Sequence, residues 1–114
     1  MLIPGDVVDL DLGIPAAREA GFLHPSVVVT ARNILAKEPT VIHVVPLTST
    51  NRGFESEVEL EPDRHNGLEY PCVAQCQHIR AVSIARISRV RGNVGSVALA
   101  RIRDTVGLIL GIHP

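Results

Sequence analysis

Four of the five residues in Ser26-Val27-Val28-Val29-Thr30 are β-branched. Such side chains are stiff about χ1 and pack well on a pleated surface. A run without polar alternation has both faces buried, so this segment predicts a central strand covered on each side. Val41 to Val45 is a second apolar run of the same kind. Val7 to Leu12 instead alternates, with Val8, Leu10 and Leu12 against Asp9 and Asp11, the period of a half-buried strand. Phe54 to Glu61 alternates strictly, Phe54, Ser56, Val58 and Leu60 opposing Glu55, Glu57, Glu59 and Glu61. The four glutamates make the simplest wet face for that strand. Cys72–Gln77 and Arg86–Val90 are shorter strand candidates, and Asp63–Gly67 is a turn. Residues 13–24, with Gly13, Pro15 and Gly21, form a long loop, and loops of that length are often functional.

The period changes near the end. Leu99, Ile102, Val106, Ile109 and Leu110 recur at helical spacing, which predicts an amphipathic helix over 96–110. Gly107 weakens it by ~1 kcal/mol relative to Ala. Short strands followed by one helix predict a mainly β fold, a small barrel with a helix packed on it. The 114 residues make one domain, 1–114, with no internal repeat or linker. Aromatic residues are only 3% of the chain, so the core must be built from Val, Ile, Leu and Ala.

The net charge of −1 points to no partner, but its distribution is uneven. Ile79 to Arg103 holds six arginines and no acid, while Glu55, Glu57, Glu59, Glu61, Asp63 and Glu69 crowd the segment before it. One basic and one acidic face, or ordinary solvated charge, both fit. No secretory signal is visible, because Met1-Leu2-Ile3-Pro4 is short and Gly5-Asp6 follows at once. No apolar run reaches the ~18 residues of a membrane helix. Cys72 and Cys76 do not form a secreted disulfide framework. A soluble cytoplasmic protein with reduced thiols, without a membrane partner, is the expectation.

Thr48-Ser49-Thr50 follows Pro46 directly after a strand. Proline ends strand pairing, and three hydroxyls with local N–H groups beyond it can cradle a phosphate, with Arg52 adding charge. The alternative is a turn whose hydroxyls bond their own backbone. His24 precedes Pro25, and proline restricts its predecessor to extended geometry. A histidine there suits proton transfer, or is an ordinary loop residue. If Cys76 to Arg80 is extended, Cys76, His78 and Arg80 share one face. A metal site of Cys72, Cys76 and His78 competes with that reading, but three ligands at this spacing make a poor zinc signature. The chain holds no P-loop, no GxGxxG after a strand, no HExxH and no GxSxG.

Taken in order, several segments resemble the MazF/PemK toxin family: Gly5-Asp6-Val7-Val8-Asp9-Leu10; Glu19 to Val29 with its Gly21 and His24-Pro25; Val44-Val45-Pro46-Leu47-Thr48-Ser49-Thr50, followed by Gly53-Phe54 and Glu57-Val58; Gln77-His78-Ile79-Arg80; and the tail Leu108-Ile109-Leu110-Gly111. The resemblance implies an SH3-like β-barrel of the MazF/PemK/CcdB type with a C-terminal helix, and a homodimer. It implies a toxin that cleaves single-stranded RNA sequence-specifically without metal or cofactor. A cognate antitoxin with a disordered acidic tail would block its RNA groove. It also implies catalytic roles for His24, Thr48, Ser49 and His78, and RNA contacts from Arg18, Pro46, Thr50, Arg52, Gln77 and Arg80. RNA supplies its own 2′-hydroxyl as nucleophile, so such an enzyme needs a base, an acid and donors for the phosphorane charge. The products would be a 2′,3′-cyclic phosphate and a 5′-hydroxyl end. The chain departs from the family where His24 stands at the position of the catalytic arginine, Gln77 where many members have an acid, and His78 where they have glutamine. An altered acid–base arrangement follows from these departures. So does the alternative of a non-catalytic binder, acting on a partner as the CcdB toxins act on gyrase, or on its antitoxin only.

Overall fold

The computed structural model describes residues 1–11 and 24–112. Seven strands run in chain order: β1 (Asp6–Leu10), β2 (His24–Val28), β3 (Val41–Thr48), β4 (Glu57–Leu60), β5 (Cys72–Gln75), β6 (Arg80–Ser83) and β7 (Ile87–Asn93). A one-turn helix α1 (Arg32–Leu35) joins β2 to β3, and helix α2 (Gly95–Ile109) closes the chain. The predicted helix over 96–110 is thus observed within one residue at each end. The predicted loop over 13–24 lies outside the described residues except for His24, which opens β2 instead.

All ladders are antiparallel. Paired strands follow the order β4-β5-β3-β2-β1-β7, with β6 on β3. Strand β3 changes partner along one edge. It pairs β6 from Val41 to Val44 and β5 at Leu47 and Thr48. Pro46 falls in the gap between those partners and stands opposite Ser26 on the other edge. The expectation that proline ends the strand is therefore corrected. A missing donor is tolerated where one edge has no ladder to complete.

Alternation sorts the side chains into two cores. Val7, Val27, Val45, Leu47, Val58, Leu60 and Ala74 pack with Leu99 and Ile102 of α2. Val8, Leu10, Val28, Ile42, Val44 and Val82 pack on the other face with Leu35 of α1. Val27 and Val28 thus serve opposite cores, as the unbroken β-branched run requires.

Three strands are shorter or displaced relative to the periodic segments. The alternating segment 54–61 is a strand only from Glu57 to Leu60, and Phe54 is exposed. The Arg86–Val90 strand is shifted to Ile87–Asn93. The Cys72–Gln77 strand stops at Gln75, and Cys76–His78 is a 3₁₀ turn. Its cause is burial: Cys76 turns into the core beside Ile102, its thiol 3.8 Å from the Ile102 carbonyl oxygen. Cys76, His78 and Arg80 therefore do not share an extended face. Cys76 is buried, while His78 and Arg80 are exposed.

Candidate functional site

The β2–β3 register pairs Val28 with Val44, Val27 with Val45 and Ser26 with Pro46. Continued for two residues, it sets His24 opposite Thr48. On its other edge His24 pairs with Leu10. Alternation then puts His24, Ser26, Val44, Pro46 and Thr48 on one face. Arg80 pairs with Val44 and stands on that face too. The sequence candidates His24, Pro46, Thr48 and Arg80 are thus brought to one face, with His24 half-buried and Arg80 exposed.

Thr48 ends β3 and begins a turn. Its hydroxyl oxygen accepts from the Thr50 N–H at 3.2 Å. The turn and the phosphate cradle are therefore compatible readings, since the same hydroxyl keeps its proton to donate outward. Ser49, Thr50 and Arg52 follow on an exposed loop. Glu57 Oε1 accepts from the Arg52 and Phe54 N–H groups at 3.1 and 3.2 Å. Glu59 Oε1 accepts from Asn51 Nδ2 at 3.0 Å. Two of the glutamates assigned to a wet strand face thus fasten the loop that carries Arg52.

Gln77 and His78 lie on the 3₁₀ turn that leads into β6, Gln77 half-buried and His78 exposed. Gln77 Oε1 is buried and without a hydrogen-bond donor among the described residues. Arg18 lies outside the described residues. No group of three or more His, Cys, Asp and Glu side chains among the described residues is placed to hold a metal ion. Cys72, Cys76 and His78 are accordingly not assembled as ligands. Burial pushes the Cys76 thiol up to about 11. Burial does the same for Cys72, also to about 11, with Glu61 adding to the rise and Arg91 opposing it. Neutral thiols of this kind are poor nucleophiles.

Periodicity gives no warning that a carboxylate of β1 is fully buried. Asp9, on the alternating segment expected to show its acids to water, is 0% exposed and paired with Arg89 and Arg91. The signal was the Arg-x-Arg spacing in a stretch without acids, which left the cross-strand partner unnamed.

A sequence model of the family described as PemK-like, MazF-like toxin of type II toxin-antitoxin system matches residues 3–110. The chain is 29% identical over 116 residues to Endoribonuclease MazF9 of Mycobacterium tuberculosis, covering 98% of each protein. It is 30% identical to Endoribonuclease MazF3 of the same species over 66 residues, 58% of this chain and 62% of that protein. The fold is shared with an endoribonuclease in complex with its cognate antitoxin from a mycobacterial species, at a TM-score of 0.79 and 19% identity, covering 100% of this chain and 99% of that one. A MazE–MazF structure from Deinococcus radiodurans gives a TM-score of 0.76 at 21% identity, over 98% and 97% of the two chains.

Proposed function

Because the chain belongs to the family of PemK-like, MazF-like toxins of type II toxin–antitoxin systems, we propose that it is an endoribonuclease acting on single-stranded RNA. What supports this reading is the β2–β3 register, whose last pair is Ser26 with Pro46 and which, extended by two residues, puts His24 opposite Thr48 on the face that Arg80 shares with Val44. In this mechanism a phosphate docks at the Thr48 turn. His24 takes the proton of the 2′-hydroxyl, and the 2′-oxygen attacks phosphorus. The Thr48 hydroxyl and the Ser49 hydroxyl donate to the non-bridging oxygens, and Arg80 offsets their growing charge. His78 gives a proton to the departing 5′-oxygen. The bond to the 5′-oxygen breaks, leaving a 2′,3′-cyclic phosphate and a 5′-hydroxyl end. Arg18, Pro46, Thr50, Arg52 and Gln77 contact the flanking nucleotides.

The same reading assigns the β1-β2-β3-β6-β7 unit to an SH3-like barrel around Val8, Leu10, Val28, Ile42 and Val44. Its seam lies between β6 and β7, which are joined by a 3₁₀ turn at Ile84–Arg86. A groove of about 740 Å³ at Leu2, Leu35, Ile42, Ile84, Ile87 and Val90 offers apolar surface for a homodimer. A cognate antitoxin would inhibit the enzyme by covering the RNA face. No described helix is long and apolar enough to cross a membrane.

The test is incubation of the purified protein with RNAs of varied sequence, followed by mapping of 5′ ends and analysis of the 3′ termini. Cleavage leaving 5′-hydroxyl and cyclic phosphate ends is expected. RNA left uncut across all sequences would overturn the reading in favour of a binding protein, the alternative that histidine in place of the family's arginine keeps open.

A further inference from the structure

Asp9 lies in β1 between Pro25 of β2 and Arg89 of β7. Its carboxylate is divided between two arginines. Oδ2 accepts from Arg89 Nε at 2.7 Å, and Oδ1 accepts from Arg91 Nε at 2.8 Å. The two cations differ in exposure. The Arg91 side chain is 14% exposed and the Arg89 side chain 58%. Arg91 is also held from behind, because its carbonyl carbon and Cβ lie within 3 Å of where a side chain on Gly67 would begin.

A buried carboxylate requires one cation close by. Arg91 meets that requirement in the interior, so the charge of Arg89 is surplus to the fold and faces water. Among the described residues Arg89 engages only its Nε, toward Asp9, which leaves the four N–H donors of its two Nη groups in one plane. A planar fork steadied at its base is the geometry that suits a phosphate.

We infer that Arg89, positioned by Asp9, binds a backbone phosphate of the RNA at a nucleotide flanking the cut. This rests on the nuclease reading above. The Arg89–Asp9–Pro25 row crosses three strands, one residue along from the row holding Leu10 and His24. Two strand spacings, ~10 Å, separate β7 from β2. Asp9 points to the face opposite that of Leu10. Arg89 therefore lies on the face of the sheet opposite His24 and serves a phosphate other than the one at Thr48. Its contribution is to binding.

The test uses the full-length protein, wild type, Arg89→Gln and Arg89→Lys. Affinity for a fluorescent, 2′-O-methylated oligoribonucleotide of mixed sequence, which lacks the nucleophile, is measured across a salt series. KM and kcat are measured with the unmodified RNA. Arg89→Gln should weaken binding about five- to tenfold and raise KM more than it lowers kcat. It should also reduce the slope of log affinity against log salt by ~0.7, the value for one phosphate on a single strand. Arg89→Lys should restore the salt slope and part of the affinity, with melting temperatures close to wild type throughout. An active wild type with unchanged KM and salt slope in Arg89→Gln would overturn the inference alone. So would a variant that lost only affinity for an acidic peptide, or a fall in melting temperature that accounted for the loss. A wild type that neither binds nor cuts RNA would overturn the nuclease reading, and this inference with it.

Discussion

Ser26 and Pro46 stand opposite each other on β2 and β3, and their pairing sets the register of everything beyond them. Extended two residues past this last pair, the same register puts His24 opposite Thr48. A slip of one residue would send both to opposite faces of the sheet. The placement of the two candidate groups is thus a property of a buried ladder, with Ser26 itself inaccessible to solvent.

Thr48→Ala should lower single-turnover RNA cleavage by roughly 10²–10³, the usual effect of removing one donor to a developing oxyanion. Stability should change little, because the bond lost in the folded state, from the Thr50 N–H, is exposed and water can replace it. Thr48→Ser retains the hydroxyl and should keep most of the activity. Equal cleavage by wild type and Thr48→Ala would remove Thr48 from the mechanism.

Glu57→Ala frees two backbone N–H groups, of Arg52 and Phe54, from a carboxylate that holds their loop. The expected cost is about 1 kcal/mol, since the loop is exposed and water takes up the donors. The larger effect should be on KM, because Arg52 is no longer fixed. Glu57→Gln keeps an acceptor oxygen and should fall between the two. Urea denaturation together with steady-state cleavage separates the two effects.

Gly92 and Gly53 should respond differently to alanine. A Cβ on Gly92 would lie 2.2 Å from the His65 carbonyl oxygen, a backbone atom that cannot step aside without moving the 61–68 segment off β7. A loss of about 2–3 kcal/mol is expected there. Gly53 has φ +70 but open space around it, so Gly53→Ala meets only the left-handed backbone penalty, ~1 kcal/mol. Urea midpoints at constant m-value test the ordering.

Burial raises the Cys76 thiol to about 11. Near pH 8 it should react with thiol reagents about a hundredfold more slowly than a cysteine with the ordinary value of 9.0. The folded state holds this proton more tightly than the unfolded state. Its contribution to stability is therefore complete below pH 9 and is lost as pH rises toward 11. Melting temperatures of wild type should fall over that window, and those of Cys76→Ala should fall less. Parallel decline in both proteins would assign the alkaline loss to other groups.

What periodicity governs was legible in the sequence. Helix α2 lies within one residue of its apolar repeat, and Val27 and Val28 divide between two cores as an unbroken β-branched run demands. What depends on a distant partner was not legible. Asp9 sits in an alternating segment, yet it is buried because Arg89 and Arg91, eighty residues further along, meet it there. Pro46 stays inside a strand because β6 and β5 leave a gap beside it. Cys76 leaves the strand pattern because the core beside Ile102 takes its thiol. For the candidate site, residue identity came from sequence, and the shared face of His24, Pro46, Thr48 and Arg80 came from register.

Strand β3 draws its last hydrogen-bonded neighbour from β5, at Leu47 and Thr48, and its earlier ones from β6 and β2. Among the ladders, the β4–β5 hairpin joins the rest of the sheet only through that short pairing, while it also packs on α2 and its 61–68 connection is tied to β7 by the Asn93 N–H donating to the His65 carbonyl oxygen at 2.8 Å. Warming that peels the hairpin away would leave the β1-β2-β3 ladder standing while Thr48 lost the strand beside it. Heat should then silence such an enzyme below the temperature at which its fold melts, and cooling should return the activity without a full cycle of refolding.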